Sequence, residues 1–210
     1  MVVLLVTADR KEVRDAGRVS ILNAAARLFR EQGYAAVSLR AIASAAGMKA
    51  GSIYYHFASK DLIVVEILNG GILAVHERVS EAIAGLPDDA PVEEILRAGI
   101  RGHLEALFEH GDFTSANVRI FGQVPENVRT VSLPTRRDYD KFWDDLLAKL
   151  QSAGKIKQDV DLRIFRLLLI GALNATLEWF DRTRGGTSAL ADQYADFLLN
   201  GLLEKAETTA

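Results

Sequence analysis

The chain has 210 residues, 49% of them hydrophobic, and a net charge of −3. That is enough apolar material for a packed core in one or two domains. The absence of cysteine excludes a disulfide framework, a thiolate zinc site and a cysteine nucleophile, and suits a reducing cytoplasm. The charge is unevenly placed: residues 10–60 sum to +6 and residues 61–210 to −8. A basic head on an acidic body is the asymmetry expected of a protein whose one end meets phosphate, although chance clustering gives the same count.

The apolar run Met1–Val6 is too short for a membrane span and is followed by Asp9 without a cleavage pattern, so residues 1–14 are expected to be a loose tail rather than a targeting signal. No later stretch reads as transmembrane. Ile21, Leu22, Ala25, Leu28 and Phe29 repeat at helical spacing and predict a first helix that stops at Gly33. Ser38 is placed to cap a short second helix with Leu39, Ile42, Ala43 and Ala46 on one face, ended by Gly47. A third short helix is predicted over 50–56. Ser59 caps a fourth, with Leu62, Val65, Leu68, Ile72, Val75 and Val79 on one side and Asp61 in its first turn.

Gly85 to Pro91 is a break, and Pro91 opens a fifth helix that runs to about His110. Residues 114–132 predict two short helices divided near Pro125. A new helix is expected after Pro134, carrying Tyr139, Phe142, Trp143, Leu146, Leu147 and Leu150. A turn at 153–157 precedes a long helix over 161–182, apolar almost all round from Leu167 to Leu173. Gly185 and Gly186 separate it from a last helix that aligns Leu190, Tyr194, Phe197, Leu198, Gly201 and Leu202. Period-two alternation is nowhere sustained, so the whole chain reads as helical, with no internal repeat.

The two short helices either side of Gly47-Met48-Lys49 outline a helix-turn-helix. Glycine permits the tight reversal, and Ala43, Ala45 and Ala46 let the helices approach. In the second of them Gly51 and Ser52 leave room for close approach to DNA. Lys49, Tyr54, Tyr55, His56 and Lys60 supply donors, while Ile53 and Phe57 anchor the segment inward. A short buried aromatic helix with incidental polar atoms has the same outline.

The run Val37-Ser-Leu-Arg-Ala-Ile-Ala-Ser-Ala-Ala-Gly-Met-Lys-Ala-Gly-Ser-Ile-Tyr-Tyr-His-Phe-Ala-Ser-Lys60 closely resembles the DNA-binding signature of the TetR family of transcriptional regulators. The preceding helix, with Ala25, Leu28, Phe29, Gly33 and Tyr34, resembles that family's first helix. The resemblance spans about residues 18–68. It implies that Ser38, Tyr54, His56 and Lys60 contact phosphate, that Lys49, Ala50, Gly51, Ser52 and Tyr55 face the groove, and that Arg40 belongs to the same surface. Lys49 stands where a small hydroxyl residue is common and Ile63 where leucine is usual.

The resemblance also implies an all-α fold of nine or ten helices: a helix-turn-helix domain over 15–61, then a ligand-binding and dimerisation domain over 62–210. The implied partners are double-stranded operator DNA, a small-molecule effector and a second copy joined through helices about 161–182 and 188–205. The expected function is that of a cytoplasmic repressor released from a palindromic operator by a small, largely apolar effector, lipid or acyl-CoA in kind. The fourth helix would link the two domains mechanically.

An apolar effector site is expected among Phe108, Arg119, Phe121, Tyr139, Phe142, Trp143, Asn174 and Trp179, with Phe113 and Gln123 as further candidates. Arg119, Arg136, Arg137 and Arg182 are candidates to pair with coenzyme A phosphates. Core packing and solvated charge are the plain alternatives for each. An activator, or a helical dimer whose basic head binds an acidic protein, are the rival functions. The chain lacks nucleophile-elbow, phosphate-loop and His-Glu-x-x-His motifs, and His103 and His110 lie seven apart with no third ligand between them. No enzyme activity, cofactor, metal or membrane association is therefore expected.

Overall fold

Helices make up every regular element of the computed structural model, which describes residues 2–181, 183 and 185–202. In chain order they are α1 (Val2–Ala36), α2 (Leu39–Ala45), a 310 helix (Ala50–Tyr55), α3 (Lys60–Ala84), α4 (Val92–Glu109), α5 (Gly111–Ile120), α6 (Glu126–Ser152), α7 (Leu162–Trp179) and α8 (Thr187–Leu202). Among the described residues no helix is long and apolar enough to cross a membrane.

The chain divides into two compact units, residues 1–71 with 112–134, and residues 72–111 with 135–210. α5 and the start of α6 fall with the N-terminal helices in the first of these units. Helix α1 begins at Val2, so its backbone takes in most of the segment expected as a tail.

In the first unit, Ile21, Ala25 and Phe29 of α1 meet Ile42 and Ala43 of α2, Ile53 and Phe57, and Ile63, Val64, Ile67 and Leu68 of α3, all buried. Ala116, Ile120, Val124 and Val128 complete this core. The inward face of α3 is thus rotated from the expected one: Ile63, Val64 and Ile67 are covered and Leu62 is 50% exposed. Within α1 the helical path breaks at Gly33 (φ 77°, ψ 171°), a conformation that only glycine adopts readily. Gln123 stitches this break, its Oε1 accepting from the Tyr34 N–H at 3.1 Å and its Nε2 donating to the Arg119 carbonyl at 3.1 Å.

In the second unit α4 packs against both α7 and α8. Leu96, Ile100, Leu104 and Leu107 of α4 meet Leu169 and Leu173 of α7 and Leu190, Ala191, Ala195 and Leu199 of α8. Along the rim, Arg97 pairs with Asp196 at 2.5 Å and Arg101 with Asp192 at 2.9 Å. Exposed pairs of this kind add little stability. Arg166 of α7 is different: largely covered, it donates from Nη1 to Asp140 at 2.7 Å and from Nε to Asp144 at 2.6 Å, bridging two acids four apart on α6.

Two expectations fail here for a physical reason. Helix α6 runs through Pro134 instead of starting after it. A proline inside a helix loses one hydrogen bond and crowds the carbonyl four residues back, at about 3 kcal/mol. Burial on either side offsets that cost: Val128 and Ser132 before Pro134, then Tyr139, Trp143, Leu147 and Leu150 after it. On α8 the buried positions are Leu190, Ala191, Ala195 and Leu199, which leaves Phe197, expected on the inward face, 83% exposed. The side chain of Leu202, aligned with them in the sequence, lies outside the described residues.

Candidate functional site

The helix-turn-helix is built from caps outward. Ser38 Oγ accepts from the Ala41 N–H at 3.1 Å and opens α2. At the other end Gly47 takes the left-handed conformation (φ 71°), which lets the Met48 N–H reach the Ala43 carbonyl at 2.9 Å and turns the chain back. The next segment, expected as a short helix over 50–56, is a 310 helix over Ala50–Tyr55. Its opening bond runs from the Ser52 N–H to the Lys49 carbonyl at 2.9 Å, the i to i+3 pattern of a 310 turn.

Ile53 and Phe57 are buried and pin this segment to the core, as expected of anchors. Lys49, Ala50, Gly51 and Ser52 are exposed, and so are Tyr54 (62%) and Tyr55 (74%). Two adjacent tyrosines left in water by a segment whose Ile53 and Phe57 are covered form a surface with no use inside the chain. A β-carbon on Gly51 would meet nothing within 4 Å, so packing does not require that glycine. Arg40 of α2 and Lys49 are exposed charges that form no ion pair or side-chain hydrogen bond among the described residues.

His56 and Lys60 are placed differently. His56 is half-buried against α1, where a β-carbon on Gly17 would lie 2.8 Å from its ring, and Arg18 Nη1 donates to the His56 carbonyl at 3.2 Å. The same Arg18 pairs with Glu66 and lies 4.2 Å over the Phe57 ring. It therefore holds the end of the recognition segment to α1 and α3. Lys60 donates from Nζ to the carbonyls of Tyr34 and Val37, both at 3.0 Å, and lies 3.9 Å over the Tyr34 ring. Burial pulls the Lys60 ammonium below its ordinary pKa, opposed by neighbouring Asp61. Tyr34 in turn donates to Asp61 Oδ1 at 2.7 Å, and burial together with that bond pushes its phenol up to about 12. Sequence reasoning found Lys60 as a donor but not its acceptors, and missed Arg18 altogether, because both depend on contacts across more than 20 residues.

The expected effector residues are divided between the two units. Arg119 and Phe121 belong to the first unit, Arg119 exposed and Phe121 packed on that unit's core. Phe113 and Gln123 also belong there. In the second unit Trp143 is fully buried, and a β-carbon on Gly99 would lie 2.7 Å from its Cη2, so the indole is core. Trp179 is 57% exposed and edge-on to Phe180. Phe108 packs on Phe180 and borders a cleft of about 410 Å³ with Arg78, Glu105, Glu109 and Thr187. Arg136 is half-buried, and that burial lowers its pKa against the opposing pull of Asp140. Arg137 is exposed, and Arg182 lies outside the described residues.

Tyr139 and Asn174 are joined through a residue the sequence did not single out for this role. His103 Nδ1 lies 2.8 Å from the Tyr139 hydroxyl and Nε2 lies 3.2 Å from Asn174 Oδ1. Burial lowers the His103 pKa to about 4, opposed by the Asn174 bond, so the ring is neutral near pH 7. The consistent assignment has Tyr139 donating to Nδ1 and Nε2–H donating to the Asn174 carbonyl oxygen. Phe142 stacks beside Tyr139 at 6.4 Å between centroids, and His76 lies 5.4 Å from Tyr139 and 5.0 Å from Phe142. The second unit thus holds a neutral three-member polar chain beside an aromatic wall.

Comparison with known proteins matches both the N-terminal and the C-terminal part of the chain. The family model for bacterial regulatory proteins of the tetR family matches residues 21–67, and that for the tetracyclin repressor-like C-terminal domain matches residues 89–202. The chain is 28% identical over 203 residues to the HTH-type transcriptional repressor KstR2 of Rhodococcus jostii, spanning 93% of this chain and 95% of that one. It is 25% identical over 194 residues to the fatty acid metabolism regulator protein of Bacillus subtilis, spanning 89% and 96%. The crystal structure of AibR in complex with isovaleryl coenzyme A and operator DNA superposes with a TM-score of 0.73 at 23% identity, over 89% of this chain and 98% of that one.

Proposed function

Because the chain belongs to the TetR family of DNA-binding transcriptional regulators, we propose that it is a repressor released from a palindromic operator by a small, largely apolar effector. The observation that carries this is the exposed run from Lys49 to Tyr55, held in place by buried Ile53 and Phe57. A tyrosine pair, an uncommitted lysine, a serine and an unhindered glycine on one fixed segment suit a major groove and its phosphates. The functional division is a DNA-binding head over 15–61 and an effector and dimer domain over 62–210. Ser38, Arg40, Tyr54 and His56 act on phosphate, and Lys49 to Ser52 with Tyr55 face the bases.

The dimer forms through α7 and α8. Ile164 (64%), Leu167 (55%), Leu168 (58%) and Phe197 (83%) are large apolar side chains left exposed on these helices, which supports a second copy as their cover. The effector takes the aromatic side of the second unit, where Tyr139, Phe142 and Asn174 offer an apolar wall with a neutral polar chain. The B. subtilis fatty acid regulator and the AibR complex with isovaleryl coenzyme A support an acyl-chain effector. Release follows by population shift: the effector binds the released form of the dimer better than the operator-bound form.

The test is selection of bound duplexes from a random pool at two salt concentrations, with Tyr54→Ala and Tyr55→Ala as controls. The expected result is one palindrome, bound much more weakly at high salt and by both variants, and released by medium-chain acyl-CoA. Absence of any enriched duplex at low salt would mean that this surface meets a protein and not DNA.

A further inference from the structure

We propose that Lys49 reads a guanine in each operator half-site through O6 and N7, and that it is the main source of base discrimination by this chain. The inference rests on the operator-binding reading above and adds to it the chemistry of the sequence that is read.

The reading segment exposes few kinds of atom. From Lys49 to Tyr55 its outward side chains are one ammonium, one methyl, a bare glycine and three hydroxyls, because Ile53 is buried in the core. It carries no carboxylate and no carboxamide. Adenine in the major groove shows an acceptor beside a donor and is read best by Asn or Gln. Cytosine shows a donor and asks for Asp or Glu. Guanine shows two acceptors, N7 and O6, which an ammonium satisfies. Hydroxyls accept either pattern and discriminate weakly. The strongest reader on this segment therefore matches guanine alone.

Lys49 is also uncommitted, as is Arg40 of α2, in contrast to Lys60 and Arg18. Lys60 is bonded to two carbonyls and Arg18 to Glu66 and the His56 carbonyl. Lys49 is exposed, caps no backbone N–H, and forms no ion pair among the described residues. From Gln32 to Lys60 the sequence contains no Asp or Glu, so no acid within the motif neutralises its charge.

Its backbone is fixed on both sides. The turn bond from Met48 to Ala43 at 2.9 Å precedes it, and the Ser52 N–H donates to its carbonyl at 2.9 Å. The ammonium consequently samples only the reach of its own stem. Two residues further on, the open space at Gly51 lets a base edge come close beside it.

The experiment selects duplexes with wild type and with Lys49→Ala and Lys49→Gln at one salt concentration. It then measures binding to the selected operator with that guanine replaced by 7-deazaguanine, which lacks the N7 acceptor, or by inosine, which keeps N7 and O6. Wild type should prefer guanine at one symmetric position by roughly ten-fold or more. Lys49→Ala should flatten that position, and Lys49→Gln should move it toward adenine. The 7-deazaguanine substitution should weaken wild type several-fold and leave Lys49→Ala unchanged, with inosine neutral for both. A palindrome whose guanine preference survives Lys49→Ala overturns the inference and leaves the regulator reading intact. So does a uniform loss of affinity with an unchanged motif, which marks a phosphate contact. No enriched duplex with wild type would sink the regulator reading and this inference together.

Discussion

The Lys60 ammonium lies 3.9 Å above the Tyr34 ring and donates to the Tyr34 carbonyl at 3.0 Å, so the first residue of α3 is fastened to the chain just past the break in α1. A further bond to the Val37 carbonyl, also 3.0 Å, ties in the entry to α2. Lys60 thereby organises the head before any nucleic acid arrives. Lys60→Ala is expected to cost roughly 2 kcal/mol of unfolding free energy, the scale of hydrogen bonds to a charged group. It should weaken duplex binding by a similar factor for every sequence. The slope of affinity against salt should stay nearly unchanged, whereas loss of a true phosphate contact lowers it by about one. Urea unfolding and a salt titration separate the two.

His103 gives the second unit a pH dependence of definite sign. Its folded pKa of about 4 lies below the ordinary value of 6.5, so the unfolded chain takes up a proton that the folded chain refuses. Stability from this group is full above the unfolded pKa and falls as pH drops from there toward the folded pKa. Between pH 7.5 and pH 5 the expected loss is roughly 2 kcal/mol. His103→Leu should be less stable at pH 7.5, because Tyr139 and Asn174 lose their partner, and should lack this component of the acid slope. Denaturant unfolding at the two pH values checks both statements.

The helices were legible wherever periodicity and caps agree. Ser38, Gly47 and the anchors Ile53 and Phe57 lie where the sequence puts them, because each acts within a few residues of itself. Pro134 misled because its local cost is real but is outweighed by burial on both sides, which no window around it displays. Phe197 misled for a related reason: α8 presents apolar residues on more than one side, and only packing against α4 decides that Ala191 and Ala195 face inward. The Tyr139–His103–Asn174 chain joins three helices. A histidine on an apolar helix carries no sign in sequence of the hydroxyl and amide that will meet it.

Gly99 is expected to be required by Trp143. With a β-carbon 2.7 Å from the indole Cη2, Gly99→Ala must displace a fully buried ring. Overpacking of this kind costs about 1–3 kcal/mol. The chain has two tryptophans, and Trp179 is 57% exposed, so a Trp179→Phe background isolates the emission of Trp143. In that background Gly99→Ala should shift the emission to longer wavelength and lower the melting temperature. An unchanged spectrum would mean that α4 moves away as a whole and the ring stays covered.

Placing charge on α7 and α8 tests the dimer directly. Leu168 is 58% exposed and Phe197 83% exposed, so glutamate at either position meets no packing penalty within one copy. In a dimer built on these helices the same glutamates become buried against the second copy, where burying an unpaired charge is costly. Leu168→Glu and Phe197→Glu should therefore leave the melting of the isolated chain nearly unchanged at low concentration while shifting its mass in light scattering to that of a monomer. Operator affinity should fall by about a hundred-fold or more, roughly what losing the second tethered head implies. Leu73→Glu on α3, with a comparable exposure of 54%, serves as the control and should remain dimeric. If the α7 and α8 variants stay dimeric while Leu73→Glu dissociates, the second copy covers α3 instead.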